Sequence, residues 1–123
     1  MPIQSFRELE IWRLGLDVVT DVYQLTATFP NEERYGLVSQ MQRAAVSIPS
    51  NIAEGSRQSA TISLIRYLRH SLASGAEVET QLEITRRLRY AKEEDIRAIE
   101  TQVVSIAKMT HALIRSLKEH RRK

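Results

Sequence analysis

The chain has 123 residues, of which 42% are hydrophobic and 27% are charged, as in an ordinary folded protein. This length predicts one domain covering residues 1–123. Because cysteine is absent, a disulfide framework, a thiolate nucleophile and a cysteine-ligated zinc are excluded. The first residues lack the apolar core of a signal peptide, and no apolar run approaches the ~18 residues of a membrane span. We therefore expect a soluble, cytoplasmic protein without a membrane partner.

Long stretches of the chain lack turn-forming residues, since only four glycines and three prolines are present, which favours a few long helices. A capping-box spacing places the start of the first helix at Ser5, with Glu8 three residues later. This helix is predicted to run to about Thr28, where Pro30 stops it. Its apolar residues form two neighbouring stripes at helical spacing. The first stripe is Leu9, Trp12, Leu16, Val19 and Tyr23, and the second is Ile11, Val18, Val22, Leu25 and Phe29.

The second helix contains a proline at a position that otherwise looks buried. Asn31 is predicted to cap this helix, and Gly55 to end it. Pro49 should kink it between residues 45 and 49, because proline has no N–H to donate to the Ala45 carbonyl. A proline in a helix interior costs about 3 kcal/mol, so side chains that bond the freed carbonyl are expected nearby.

Two further helices complete the predicted fold. The third should begin at Ser59 or Thr61 and extend to about Tyr90. The fourth opens with acidic residues from Glu93 to Asp95, which suit the positive end of the helix dipole. The sequence therefore predicts an all-α, up-down-up-down four-helix bundle. The apolar side of the third helix is predicted to consist of Ile65, Leu68, Leu72, Ala76, Leu82 and Leu88.

The run from Arg43 to Arg57, which reads RAAVSIPSNIAEGSR, carries a family resemblance. The elements that match outside it are Leu9, Trp12, Phe29, Pro30, Glu33, Tyr35, Gly36, Leu37, Gln40, Tyr67, Leu68, Ser74, Glu77, Gln81 and Leu82. Over residues 6–90 the chain closely resembles the four-helix-bundle proteins encoded in intervening sequences of bacterial 23S ribosomal RNA genes. The fourth helix matches only in its pattern.

The resemblance implies a homo-oligomer, in which bundles form a ring-like, barrel-shaped pentamer. The second stripe of helix 1 fits this implication, since we expect it to need a partner outside one bundle. The family is also similar to the accessory protein of diversity-generating retroelements, a basic pentamer that binds a reverse transcriptase and nucleic acid. Neither group implies a catalytic activity.

A polar cluster recurs at helical spacing around Pro49. This cluster has two interpretations, one functional and one structural. In the functional interpretation it is a pocket for a ligand or an RNA group. In the structural interpretation Ser47 or Asn51 bonds the freed carbonyls, while Arg43 pairs with Glu54 or Glu77. The cluster comprises Arg43, Ser47, Asn51, Glu54, Arg57 and Glu77.

Positive charge is concentrated in the C-terminal half of the chain. Residues 1–56 carry four arginines against seven acidic residues, whereas residues 57–123 carry fourteen basic against eight acidic residues. Such an excess indicates either a solvated helix face or a surface for RNA or DNA phosphates. The candidate phosphate contacts are Arg66, Arg69, Arg86, Arg87, Arg89, Arg115, Lys118, Arg121, Arg122 and Lys123.

No catalytic pattern accompanies these charges. The residues three before His70, His111 and His120 are not glutamates, so the Glu-x-x-His pairs of di-iron bundles are missing. The chain also lacks a Gly-x-Ser-x-Gly elbow and a glycine-rich phosphate loop. We expect a non-enzymatic interaction protein that needs no metal or other cofactor and binds RNA or DNA. The alternative is a scaffold for a protein partner such as a polymerase or reverse transcriptase.

Overall fold

The structure of the chain is a computed structural model that describes residue 6 and residues 9–122, the last without its side chain. This part of the chain contains four α-helices, one short 3-10 helix and no strand, so the all-α prediction is confirmed for it. The elements are α1 (Glu10–Thr26), a 3-10 helix (Asn31–Glu33), α2 (Leu37–Ser56), α3 (Thr61–Leu88) and α4 (Glu93–Arg122).

The helices form a four-cornered bundle in chain order. Helix α1 packs on α2, α2 on α3, α3 on α4, and α4 on α1. Gly75 in the middle of α3 faces Val103 in the middle of α4. Arg86 near the end of α3 contacts Glu93 at the start of α4. Neighbouring helices are therefore antiparallel, and the C-terminal half of α4 lies beside the N-terminal half of α3.

The two stripes of α1 have opposite surroundings. The second stripe, from Ile11 to Phe29, is buried in the core. Leu16 and Tyr23 of the first stripe are 40% and 47% exposed. The prediction that the second stripe needs an external partner is therefore wrong, because the bundle already covers it. The first stripe is the more exposed of the two, although its Leu9, Trp12 and Val19 are half-buried and pack against the core.

The core side of α3 is richer in small and polar residues than its apolar pattern indicates. Ala76 is exposed, and Leu88 is 48% exposed, so these two residues were assigned to the wrong side. Small side chains let α2 and α3 approach closely. The Ser71 hydroxyl donates to the Ile48 carbonyl of α2, and the Thr85 hydroxyl donates to the Gln81 carbonyl of its own helix. The buried residues that the pattern missed are Leu64, Ser71, Ser74, Gly75, Val78, Gln81 and Thr85.

The helix ends differ from several predictions. The predicted Ser5–Glu8 capping box lies outside the described residues. Asn31 begins the 3-10 helix rather than capping α2, whose first residue, Leu37, donates its N–H to Glu33 Oε1 at 3.4 Å. Gly55 is the last residue but one of α2 and does not adopt a positive φ.

Gly55 instead marks a close approach between α2 and α3. A methyl group on Gly55 would lie 2.9 Å from Tyr67 Cβ and 3.1 Å from Leu64 Cδ1. Both distances are shorter than ordinary carbon–carbon contacts. Glycine is therefore required here by packing rather than by backbone conformation.

Helix α2 continues through Pro49 as a single α-helix, and the proline is buried. The predicted kink remains a prediction. Pro49 faces α1 at Gly15, where the absence of a side chain makes room for the proline ring.

Candidate nucleic-acid interface

The polar cluster around Pro49 divides into a bonded pair and separate surface charges. Asn51 Nδ2 donates to the Ser47 carbonyl and to Ser47 Oγ, both at 2.9 Å. From α3, the buried Ser71 hydroxyl donates to the Ile48 carbonyl at 3.0 Å. The side chains around the proline thus bond the carbonyls of residues 47 and 48, rather than the Ala45 carbonyl named by the sequence argument.

The charged members of the cluster are exposed and do not pair as expected. Within the described residues, Arg43 forms no ion pair with Glu54 or Glu77. The physical reason is exposure, since water solvates these charges and an exposed pair gains little. Arg43 and Glu77 line one cavity of about 210 Å³. Arg57 lies over the Phe6 ring at 5.3 Å.

Arg86 joins the end of α3 to the start of α4. Its guanidinium contacts Glu83 at 2.6 Å and both Glu93 and Glu100 at 2.8 Å. Hydrogen bonds to Glu100, Glu93 and Glu83 raise its pKa. With three carboxylates around it, Arg86 is a structural link and not a free contact for phosphate.

The two neighbouring candidates lie at the same corner. Arg87 pairs with Glu83 at 3.1 Å. Hydrogen bonds from Arg87 and then Arg86 lower the pKa of Glu83. Arg89 is exposed and has a left-handed backbone with φ of 59° just after α3. Arg87 therefore has a carboxylate partner, whereas Arg89 is placed away from the five remaining candidates.

Five other candidates lie together at the opposite end of the bundle. Arg66 and Arg69 project from the first half of α3, and the remaining three from the last three turns of α4. All five are exposed, and none forms an ion pair with a described residue. They are Arg66, Arg69, Arg115, Lys118 and Arg121. The side chain of Arg122 and the whole of Lys123 lie outside the described part of the chain.

The charge of α3 and α4 is therefore divided between the two ends of this helix pair. Residues 57–70 and 108–121 carry seven basic residues and one acidic residue, Glu119. We call the surface of these two segments the basic end. Residues 77–100, at the other end, carry seven acidic and five basic residues. The stretches between them, 71–76 and 101–107, are uncharged.

The basic end also contains residues that the sequence argument did not include. Lys108 lies in the middle of α4, and all three histidines lie within these two segments. The Tyr67 ring packs edge-on against His70 at 6.1 Å and lies under Arg66 at 5.6 Å. Antiparallel pairing of α3 with α4 was the signal that could have identified this set.

Two further features were considered for the described residues, a metal site and a membrane-spanning helix. No three His, Asp or Glu side chains in them are placed to hold a metal ion. None of their helices is both long and apolar enough to cross a membrane.

Comparison with known proteins agrees with this fold. A crystal structure of a protein of unknown function from the S23 ribosomal protein family of Bacteroides thetaiotaomicron VPI-5482 is similar, with a TM-score of 0.78. The two sequences are 24% identical, and the similarity covers 85% of this chain and 97% of that one, which supports the fold. No match is found among curated proteins. The model of the family described as 23S rRNA-intervening sequence protein matches residues 7–112. The chain therefore belongs to the 23S rRNA-intervening sequence protein family.

Proposed function

We propose that the protein is a non-enzymatic homo-oligomer, a ring-like pentamer, that binds the phosphates of RNA or DNA through its basic end. The observation that supports this most strongly is the charge of residues 57–70 and 108–121, which carry seven basic residues against one acidic residue. The five candidate contacts of the basic end are exposed and make no ion pair with a described residue.

The side chains of the basic end are suited to contacts with phosphates rather than to recognition of one base sequence. Lysine and arginine neutralise phosphates and release counterions, which makes binding tolerant of sequence and strongly dependent on salt. Arg86 and Arg87 are not part of the proposed contact, because carboxylates surround them. Arg89 also lies at the far end of the bundle.

Oligomerisation would strengthen such binding. If five basic ends meet one polyanion, the later contacts form at high effective concentration, and the overall affinity exceeds that of one bundle. The basic residues lie near the end of the bundle rather than around its middle. In a ring of parallel bundles they would form one continuous basic rim.

The experiment is a fluorescence anisotropy titration with labelled RNA and DNA of mixed sequence at ~50 mM and ~200 mM salt. We expect binding at low salt that weakens by at least ~10-fold at the higher concentration. The test variant is Arg66→Glu with Arg69→Glu, which reverses two charges of the basic end and should abolish most binding. The absence of binding by the unmodified protein at ~50 mM salt would contradict the proposal.

A matched control makes the same change in net charge elsewhere. Arg34→Glu with Lys92→Glu alters two exposed residues at the end of the bundle opposite the basic end. This variant should bind almost as well as the unmodified protein. Equal loss of binding in both variants would mean that net charge matters and the basic end does not.

The second candidate function is a scaffold for a protein partner such as a polymerase or reverse transcriptase. The same basic end favours it, because a positive surface also complements an acidic protein surface. The titration separates the two functions. A scaffold of this kind need not bind nucleic acid at any salt concentration.

A further inference from the structure

A polar cavity between α2 and α3 lies outside the basic end. Its volume is about 210 Å³, and a volume of that size holds roughly seven water molecules. This is room for one small metabolite. We call this cavity the α2–α3 pocket. It is lined by Gln40, Arg43, Ala44, Ser47, Glu77 and Gln81.

Gln81 forms the buried part of the pocket and has an unmet hydrogen bond. The residue is only 7% exposed. Its Oε1 accepts no hydrogen bond from any described residue. A buried amide oxygen without a donor is costly, and native proteins usually supply one. A molecule in the pocket that carries N–H groups would supply this donor.

Hydrogen-bond donors line one wall of the pocket and acceptors line the other. On the α2 wall, Arg43 and Ser47 are four residues apart and therefore lie on one face of the helix. The Ser47 hydroxyl accepts a hydrogen bond from Asn51 at 2.9 Å and donates to no described residue, so its proton is free. On the α3 wall, Glu77 and Gln81 have the same spacing and offer a carboxylate and an amide oxygen.

The two charges of the pocket do not neutralise each other. Arg43 and Glu77 line it from different helices, yet neither forms an ion pair with the other or with another described residue. A molecule that carries both charges would bridge the two walls. Its anionic group suits Arg43, because a guanidinium can bind a carboxylate through two parallel hydrogen bonds. Its cationic group suits Glu77.

A second cavity, of about 350 Å³, adjoins the acceptor wall. Glu77 and Gln81 line both cavities. Ile84 is a large apolar residue that is 40% exposed, so an apolar group lying on it would remove that surface from water. The second cavity therefore suits an apolar side chain. The residues that line it and not the pocket are Ala73, Ala76, Thr80 and Ile84.

We propose that the α2–α3 pocket binds a free α-amino acid with an apolar side chain. The carboxylate of the amino acid accepts hydrogen bonds from Arg43 and Ser47. Its ammonium group donates to Glu77 and to the unpaired Gln81 Oε1. Its side chain extends into the second cavity over Ile84. The site is separate from the basic end, so the failure of either proposal leaves the other standing.

The first test is thermal unfolding in the presence of each common amino acid at about 10 mM. A ligand that binds only the folded state raises the midpoint. We expect leucine, isoleucine, valine or methionine to raise it by several degrees, and glycine, aspartate and lysine to raise it far less. Isothermal titration calorimetry then gives the Kd of the best ligand. The absence of a rise with every amino acid would overturn the proposal.

Two derivatives of the best ligand test the two charges separately. The carboxamide lacks the anionic group, and the N-acetyl derivative lacks the cationic group. Each should bind at least ~10-fold more weakly than the free amino acid. Equal binding of either derivative would overturn the proposal, because it would assign the pocket to the end of a polypeptide chain.

Two protein variants remove the same charges from the pocket. Arg43→Gln and Glu77→Gln alter exposed positions, so the fold should survive. Each should raise the Kd by ~10-fold or more. The matched controls are Arg34→Gln and Glu79→Gln, which alter exposed residues outside both cavities and should leave the Kd unchanged. Unchanged binding by Arg43→Gln or Glu77→Gln would overturn the proposal.

Gln81→Leu separates binding from folding. Leucine is close to glutamine in size and removes an oxygen that has no partner among the described residues, so the urea midpoint of the free protein should not fall. The Kd of the amino acid should rise by about 10-fold. A lower midpoint combined with an unchanged Kd would mean that Gln81 serves only the fold, and would overturn the proposal.

Discussion

Gly15 of α1 lies against Pro49 of α2 so closely that a methyl group on the glycine would stand 3.2 Å from Pro49 Cβ. The proline ring is buried and held within a helix, so it has little room to move. The unusual residue of α2 is thus accommodated by a glycine in α1, 34 residues earlier in the chain.

Gly15→Ala should destabilise the protein although alanine favours helix. The gain in helix propensity is about 1 kcal/mol, whereas overpacking a rigid neighbour costs about 1–3 kcal/mol. We expect a net loss of about 1 kcal/mol in the free energy of unfolding, measured with urea. In a Pro49→Ala background the same change should cost less but still some stability, because alanine removes Pro49 Cδ, 3.3 Å from the added methyl, and keeps Cβ at 3.2 Å. Greater stability of Gly15→Ala alone would show that the proline ring can move aside.

Asn51→Ala tests the hydrogen bonds beside the proline. Loss of the amide donor to Ser47 should lower the free energy of unfolding by about 1 kcal/mol. Asn51→Asp should cost more at neutral pH, because a carboxylate has no proton to donate and faces a carbonyl oxygen. Ser50→Ala, at an exposed neighbouring position, is the control and should change little. Unchanged stability of both Asn51 variants would remove the structural role.

The ion pairs of Arg86 should make the free energy of unfolding depend on pH. Hydrogen bonds from Arg86 lower the pKa of Glu93, and those from Arg87 and Arg86 lower the pKa of Glu83. A carboxyl with a lowered folded pKa stabilises the fold above its unfolded pKa, and this contribution is lost as pH falls through the folded pKa.

Arg86→Met should therefore reduce the urea midpoint at pH 7, and the difference from the unmodified protein should shrink towards pH 2–3. Arg97→Met is the matched control, since Arg97 has one carboxylate partner among the described residues, Glu93, and is more exposed than Arg86. A pH-independent effect of Arg86→Met would mean that lost packing, and not the charge, is responsible.

Arg89→Gly should stabilise the protein. Arg89 has a left-handed backbone at the end of α3, where Tyr90 donates its N–H to the Thr85 carbonyl at 3.1 Å. This is the helix ending at which glycine is favoured, and a residue with a Cβ costs about 1 kcal/mol there. Thermal unfolding should show a higher midpoint for Arg89→Gly but not for Arg89→Ala. Nucleic-acid affinity should stay unchanged, because Arg89 lies away from the basic end.

Local sequence signals predicted the helices well but their contacts poorly. The opening acids at Glu93–Asp95 identified the start of α4. Nothing local distinguishes the two stripes of α1, since both are apolar and both have helical spacing. Which one is buried depends on the direction from which α2 and α4 pack.

The contacts of the charged residues could not be predicted from local sequence either. A count along the chain places Arg86 with Arg66 and Arg115 in one basic half. The antiparallel turn between α3 and α4 brings acids to Arg86 and leaves Arg66 and Arg115 at the other end. Basic residues that are common in one half of the sequence form a basic surface only where helix packing brings them to the same end of the bundle.

Spacing and sparse turn residues were enough to predict the helical class, and the run from Arg43 to Arg57 was enough to identify the family. Both are local properties, because helix formation and a motif depend on residues a few positions apart. The tertiary structure alone decided which apolar stripe stays exposed, which arginines are neutralised, and why a glycine must face Pro49. Those relationships join residues far apart in the chain, and only the packing of four helices brings them into contact.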